Sequence, residues 1–201
     1  MWCFEIYYYF CSFESDVLTV LKERNMASKQ EIKIWIDGLT NSIVNTISGD
    51  SFPTEVTEVN RSDLKLVTKN REWNFNWKAE IKVHDAFIYK LSILNNPDII
   101  QGLISIQDKG DHIFVNLVEN APFNIGKKKL YEGGSGNLFA FACKMSWDNG
   151  NQGFVSLISK TKLMEHYNKT LGAVIVFGSR MVIEPREALK FIKQYFPEIQ
   201  Q

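Results

Sequence analysis

Apolar residues at every second position mark much of the chain. The stretches AFIYKLSI (86–93), IIQGLISI (99–106) and HIFVNLV (112–118) each predict a strand by this alternation. LNNPD and DKGD separate them with turn-forming residues, so the three are expected to run as an antiparallel meander. Upstream, Trp73, Phe75, Trp77, Ala79, Ile81 and Val83 alternate with Glu72, Asn74, Asn76, Lys78, Glu80 and Lys82. That pattern predicts a long half-buried strand over 71–83. Ile32, Ile34 and Ile36 predict another over 31–38, whereas 39–60 mixes β-branched residues with turn formers and reads as strand or short irregular pieces.

The period changes after residue 130. An apolar helix is expected from about 136 to 148, followed by a strand at GFVSLIS (153–159). TKLMEHYNKTLG (161–172) predicts an amphipathic helix with Leu163, Met164, Tyr167 and Leu171 on one face, Thr161 as N-cap and Gly172 just past its end. AVIVFGSRMVIEP is a hairpin turned at Gly178–Ser179. Pro185 then opens a last helix with Ala188, Leu189, Ile192 and Phe196 on one face. This order predicts a mixed α/β (α+β) fold: one central, mostly antiparallel mixed sheet flanked by helices, without Rossmann alternation.

Composition narrows the classes. The 201 residues suit one domain, and 45% hydrophobic with 13% aromatic residues is a globular composition. Lys plus Arg equals Asp plus Glu at 23 each, which excludes a nucleic-acid binder relying on bulk charge. The aromatics of 71–83 share one face, which favours a core strand over a stacking platform for bases. MWCFEIYYYFCSF at the start is shorter than the roughly 20 residues of a membrane span. It carries Glu5 and lacks a basic n-region and an A-x-A site, so it does not read as a signal peptide. KERNM resembles a translated ribosome-binding site ahead of a start codon. On that reading residues 1–25 are an extension and 26–201 the domain; a true N-terminal segment packed on the domain is the alternative. Cys3, Cys11 and Cys143 form an odd set without a CxxC pair, as expected for free thiols in a reducing cytoplasm. His84, His112 and His166 are scattered, and no metal-ligand spacing is present.

One stretch carries chemistry. YEGGSGNLFAFACKMS (131–146) places three glycines and a serine between a predicted strand and a buried helix. Free N–H groups at a helix N-terminus favour an anion, and glycine lets a phosphate approach the backbone. Lys127, Lys128 and Lys129 lie just upstream, where they can meet a further phosphate or simply face water.

In this context the chain resembles the GNAT superfamily of acyl-CoA N-acyltransferases, and more narrowly a Bacteroides-type group within it. The family's loop has the pattern Arg/Gln-x-x-Gly-x-Gly/Ala; YEGGSG puts Gly134 and Gly136 at its glycine positions and Tyr131 where Arg or Gln is usual. HYNKTLGA is similar to the family segment FYEKLGF, which aligns Tyr167 with its usual general acid. The resemblance implies a GNAT-like fold and transfer of an acetyl group from acetyl-CoA to a small-molecule or protein amine. It assigns Tyr167 as acid and Glu119, at a strand end, as base, with Glu132 a rival. It assigns Leu117 and Val118 to the thioester and pantetheine, and Gly133, Gly134, Ser135, Gly136, Asn137, Leu138, Lys128 and Lys129 to the phosphates. No metal, nucleic acid or membrane is implied, and the final hairpin and helix offer a surface for a homodimer. A GNAT-like protein that binds acyl-CoA or a partner without turnover is the alternative.

Overall fold

Hydrogen-bonded pairing joins the strands of the computed structural model into one nine-stranded sheet. The structure describes residues 39–196, with side chains from Ile43, within a compact unit spanning Ile36–Gln201. The expectations for 1–25, for a start at Met26 and for a strand over 31–38 lie outside the described residues.

The segment 39–60 is a hairpin of β1 (Leu39–Asn45) and β2 (Ser51–Glu58), turned where the Asn45 side chain accepts hydrogen bonds from the amides of Ile47 and Ser48. The predicted meander follows as β3 (Phe87–Ile93), β4 (Asn96–Asp108) and β5 (Ile113–Asn120). After the two-residue β6 (Tyr131–Glu132) come α2 (Gly134–Asp148), β7 (Val155–Ile158), α3 (Thr161–Leu171), β8 (Val174–Phe177), β9 (Arg180–Ile183) and α4 (Pro185–Tyr195). The sheet order is β6-β1-β2-β3-β4-β5-β7-β9-β8. Every pairing among the described strands is antiparallel except β5 with β7, which is parallel. The expected mixed, mostly antiparallel sheet flanked by helices is therefore what forms.

Alternation along the strands assigns the two faces. Tyr89, Leu91, Ile104, Ile106 and Val115 share the face on which α2 lies, with Tyr89 4.8 Å from Phe141 of that helix between ring centroids. The helix is apolar on most sides because it has the sheet on one side and α4 on the other. Leu138, Phe139, Ala140, Ala142 and Cys143 are each 0% exposed. Burial pushes the Cys143 thiol up to about 12, which makes it an inert core group.

The opposite face departs from expectation. The strand predicted over 71–83 does not form. A 3-10 turn, Lys69–Arg71, ends at Glu72 with φ of 66°, and the short helix α1 (Trp77–Glu80) follows Asn76, whose side-chain oxygen accepts from the Ala79 amide at 3.2 Å. Residues 73–76 between the 3-10 turn and α1 are irregular, and this path, with α1, turns both Trp73 and Trp77 into the core. They are 5% and 0% exposed, whereas Ile81 and Val83, which a strand would have buried, are 42% and 40% exposed. Together with Val59, Leu64 and Val67 they cover Ile88, Ile100 and Leu103 of the sheet. A buried ion pair ties this cover down: Lys90 Nζ of β3 lies 2.7 Å from Asp63 Oδ1, with the two side chains 7% and 6% exposed. Asp63 Oδ2 accepts from the Asn60 amide, and Lys90 also donates to the Pro97 carbonyl.

Two smaller expectations meet different fates. Gly172 caps α3 in the left-handed region at φ of 61°, as predicted. Thr161 is not the N-cap: Lys160 holds that position and no side chain caps the helix. Ser159 is buried and its hydroxyl donates to the Lys160 carbonyl. The β8 edge strand is exposed along its whole length, with Phe177 84% accessible.

Removing one member of a buried pair strands the other. Asp63→Ala is therefore expected to lower unfolding stability in urea by about 3–5 kcal/mol, and Asp63→Leu with Lys90→Met to recover most of it.

Candidate functional site

The glycine stretch forms the first turn of α2. Gly133 is the N-cap in the left-handed region at φ of 94°. The Asn137 amide and side-chain Nδ2 both donate to the Gly133 carbonyl, at 3.0 and 2.9 Å, which fixes the turn from inside. By their place in the first turn, the amides of Gly134, Ser135 and Gly136 have no intrahelical acceptor. They form the positive end of a 15-residue helix. Leu138, fully buried, anchors the turn on the sheet.

Neighbouring side chains explain why two of these residues lack a Cβ. An ideal Cβ on Gly134 would lie 2.9 Å from Asn120 Oδ1, and one on Gly136 would lie 2.6 Å from the Tyr195 hydroxyl. Asn120, at the end of β5, donates from Nδ2 to Ser135 Oγ at 2.8 Å, and its Oδ1 is buried without a partner. The turn is thus a cradle enclosed by Asn120, Ser135 and Tyr195. Asn120 and Tyr195 were not among the residues expected from the sequence. Alternation along β5 would have put Asn120 on the α2 face, but nothing local marks Tyr195.

β5 ends beside this turn, at Asn120, and is irregular. Ser105 and Ile106 are adjacent on β4 but pair with Leu117 and Val115, so Asn116 is an extra residue in β5. Beyond it β5 and β7 part: their register runs only from Ile113 opposite Val155 to Val115 opposite Leu157. Among the described residues, 116–120 have β4 on one side and no paired strand on the other. Leu117 and Val118 lie in this parted stretch, where backbone groups not bonded to β4 open into the gap.

Glu119 points to the other face of the sheet. Its carboxylate is 5% exposed and accepts hydrogen bonds from the Asn74 amide (2.6 Å), Asn74 Nδ2 (3.0 Å), the Phe75 amide (3.3 Å) and Trp77 Nε1 (2.8 Å). Four donors fill its lone pairs. In this arrangement it anchors the 73–77 segment, and no lone pair is left to take a proton from a substrate.

Tyr167 lies on α3 with its ring edge-on to Phe139 of α2, 5.8 Å between centroids. Burial holds its hydroxyl above the ordinary phenol range, so it keeps its proton at neutral pH. His166, beside it, is exposed. Lys128 and Lys129 line a cleft of about 380 Å³ with Thr46, Ile47 and Glu132. Lys129 pairs with Glu132 at 2.7 Å, with both side chains substantially exposed. Tyr131 sits in β6 opposite Asn45, its ring edge-on to Phe52 at 6.0 Å. Among the described residues no cluster of His, Cys, Asp and Glu is arranged to hold a metal, and no helix is long and apolar enough to cross a membrane.

No family model and no curated sequence matches the chain. Solved structures similar to it include a spermidine N-acetyltransferase SpeG chimera from Vibrio cholerae and hSSAT. That chimera is 13% identical, with 68% of this chain and 98% of the other covered and a TM-score of 0.49. The Vibrio cholerae spermidine N-acetyltransferase in complex with CoA and spermine is 15% identical over 68% of this chain and 98% of its own, with a TM-score of 0.48.

A hydrogen bond to a buried charge contributes about 1.5–3 kcal/mol. Glu119→Gln, which turns an amide N–H₂ toward donors, should therefore lower stability by about 2–3 kcal/mol. It should also shift the tryptophan emission to the red as Trp77 gains water, read in the same urea titration.

Proposed function

We propose that the chain is a GNAT-type N-acyltransferase that takes an acetyl group from acetyl-CoA to an amine. The observation that carries this reading is the glycine cradle at the end of a strand that bulges at Asn116 and parts from its parallel neighbour. Such a site fits a ligand with a diphosphate at one end and an extended, amide-bearing arm. The amides of Gly134, Ser135 and Gly136 hold the diphosphate. The arm lies in the gap and bonds the backbone groups of Val118, beside Leu117, that turn away from β4, as an added strand would. Lys128 and Lys129 stand near enough in sequence to meet a further phosphate. Acetyl-CoA would supply an acyl group already activated as a thioester, with CoA leaving as the thiol.

Tyr167 holds the proton that the departing sulfur needs. Its raised pKa means that the acid form persists through neutral pH and is lost only above the ordinary phenol range. An alkaline limb below about pH 10 would therefore belong to another group. Glu119 acts as a positioning residue. It fixes the 73–77 segment, the cover on the face opposite α2. The setting that goes with this reading is the bacterial cytoplasm.

Glu119 also favours a second reading, since a carboxylate committed to four donors leaves the amine without an evident base. In that case the protein holds acyl-CoA without turnover. Recovery of intact acetyl-CoA after incubation with a broad panel of primary amines would select it.

The deciding experiment is a calorimetric titration of the full chain with acetyl-CoA, beside Ser135→Glu. A carboxylate at a helix N-terminus stabilises the helix but repels phosphate. The variant loses the hydrogen bond from Asn120 Nδ2 to Ser135 Oγ, which the charge at the helix terminus offsets in part, so it should stay folded and lose at least about tenfold in affinity, equivalent to about 1.4 kcal/mol. Absence of binding to folded wild type would reject the proposal. If an acceptor is found, Tyr167→Phe should lower kcat by about 100-fold with little change in KM.

A further inference from the structure

The vertex where β5 and β7 part has two sides, and they differ. On the α2 side Val115, Val155 and Leu157 are all buried. On the opposite side Phe114 and Asn116 are half-buried and Ile158 is 61% exposed. Register puts Ser156 beside Phe114 on this open side. Ser156 is 3% exposed, and its hydroxyl has no partner among the described residues. A buried hydroxyl left unpaired is costly, and a polar ligand atom at the vertex would relieve that cost.

A carboxylate is held at the same place. Asn116, the extra residue of the bulge, turns its side chain to the open side, where Nδ2 donates to Ser105 Oγ at 3.3 Å. Ser105, 0% exposed, gives its one hydrogen to Glu80 Oε1 at 2.6 Å. Glu80 ends α1 and is half-buried. Its Oε2 accepts no hydrogen bond, and no cation lies within ion-pair distance of it, among the described residues. Glu119 has all its lone pairs filled; Glu80 is oriented through one oxygen and open at the other.

The vertex is also where a bound arm would end. With a diphosphate at the cradle beside Asn120, an arm laid along β5 from 120 back to 116 spans about 13 Å. Resting on the acyl-CoA reading above, we propose that Glu80 is the acceptor-binding residue: its free Oε2 pairs with the ammonium of a primary amine that arrives at the vertex from the side opposite α2. The body of the acceptor is apolar, since it lies over Phe114 and Ile158. Lys109 Nζ and Arg180 Cζ each stand 5.9 Å from the centre of the Phe114 ring, so a second positive charge on the acceptor is repelled.

Calorimetry on the full chain saturated with CoA tests this. CoA carries no acyl group, so nothing is transferred during the titration. The probes are phenethylamine, its uncharged analogue phenethyl alcohol, and butanediamine. In wild type phenethylamine should bind at least about tenfold more tightly than the alcohol, a comparison that needs no variant. Glu80→Gln keeps an oxygen for Ser105 and removes the charge. It should weaken phenethylamine at least about tenfold while leaving the alcohol, CoA affinity and the melting temperature nearly unchanged.

Equal affinity of wild type for the amine and the alcohol, or of wild type and Glu80→Gln for the amine, would overturn the proposal and leave the acyl-CoA reading intact. So would absence of amine binding to the CoA-loaded protein, tighter binding of butanediamine than of phenethylamine, or a loss of CoA affinity in Glu80→Gln. Failure of wild type to bind CoA at all would overturn both.

Discussion

A carboxylate with no cation beside it is stable away from water only when N–H groups fill its lone pairs, and Glu119 meets that condition with four. Much follows from this one group. Its donors come from Asn74, Phe75 and Trp77, so the carboxylate dictates the path of a segment with little regular structure. That path carries Trp73 and Trp77 into the core. With the Lys90–Asp63 pair as a second tether, an irregular stretch can cover a sheet face that in other architectures needs whole helices. The polar contacts set the shape and the tryptophans supply the apolar contact.

The other face is organised by closeness rather than by charge. Gly134 and Gly136 bring the start of α2 against Asn120 and Tyr195, side chains from a strand and from a distant helix. The start of α2 is thereby closely packed against side chains of two other elements. A glycine-rich turn that is merely flexible would have to be ordered by its ligand; one wedged between fixed neighbours is ordered beforehand, and less affinity is lost in binding.

The sequence was most legible where periodicity and burial agree. The meander of β3, β4 and β5, the buried α2 and the Pro185 helix follow their patterns because each packs on the core, and the hairpin of β8 and β9 follows its turn residues although β8 is exposed throughout. The segment 71–83 misled for a physical reason: alternation of apolar residues marks burial of Trp73 and Trp77 but not the backbone path between them, which is irregular and set by a carboxylate distant in sequence. The cradle was legible as a glycine turn before a helix. Its walls were not, since neither Asn120 nor Tyr195 belongs to a local motif. Glu119 was singled out from its place at a strand end, but its job depends on donors that the alternating pattern had assigned to another strand.

The parting of β5 from β7 also sets two clocks on one strand. Amides of 116–120 that turn toward β4 sit in a ladder, and their hydrogens exchange with solvent only when the sheet opens. Those that turn into the gap have no strand to bond and are protected only as far as water is kept out. Slow and fast exchange should therefore alternate residue by residue along a strand that lies in the middle of the sheet, where uniform protection would otherwise be the rule.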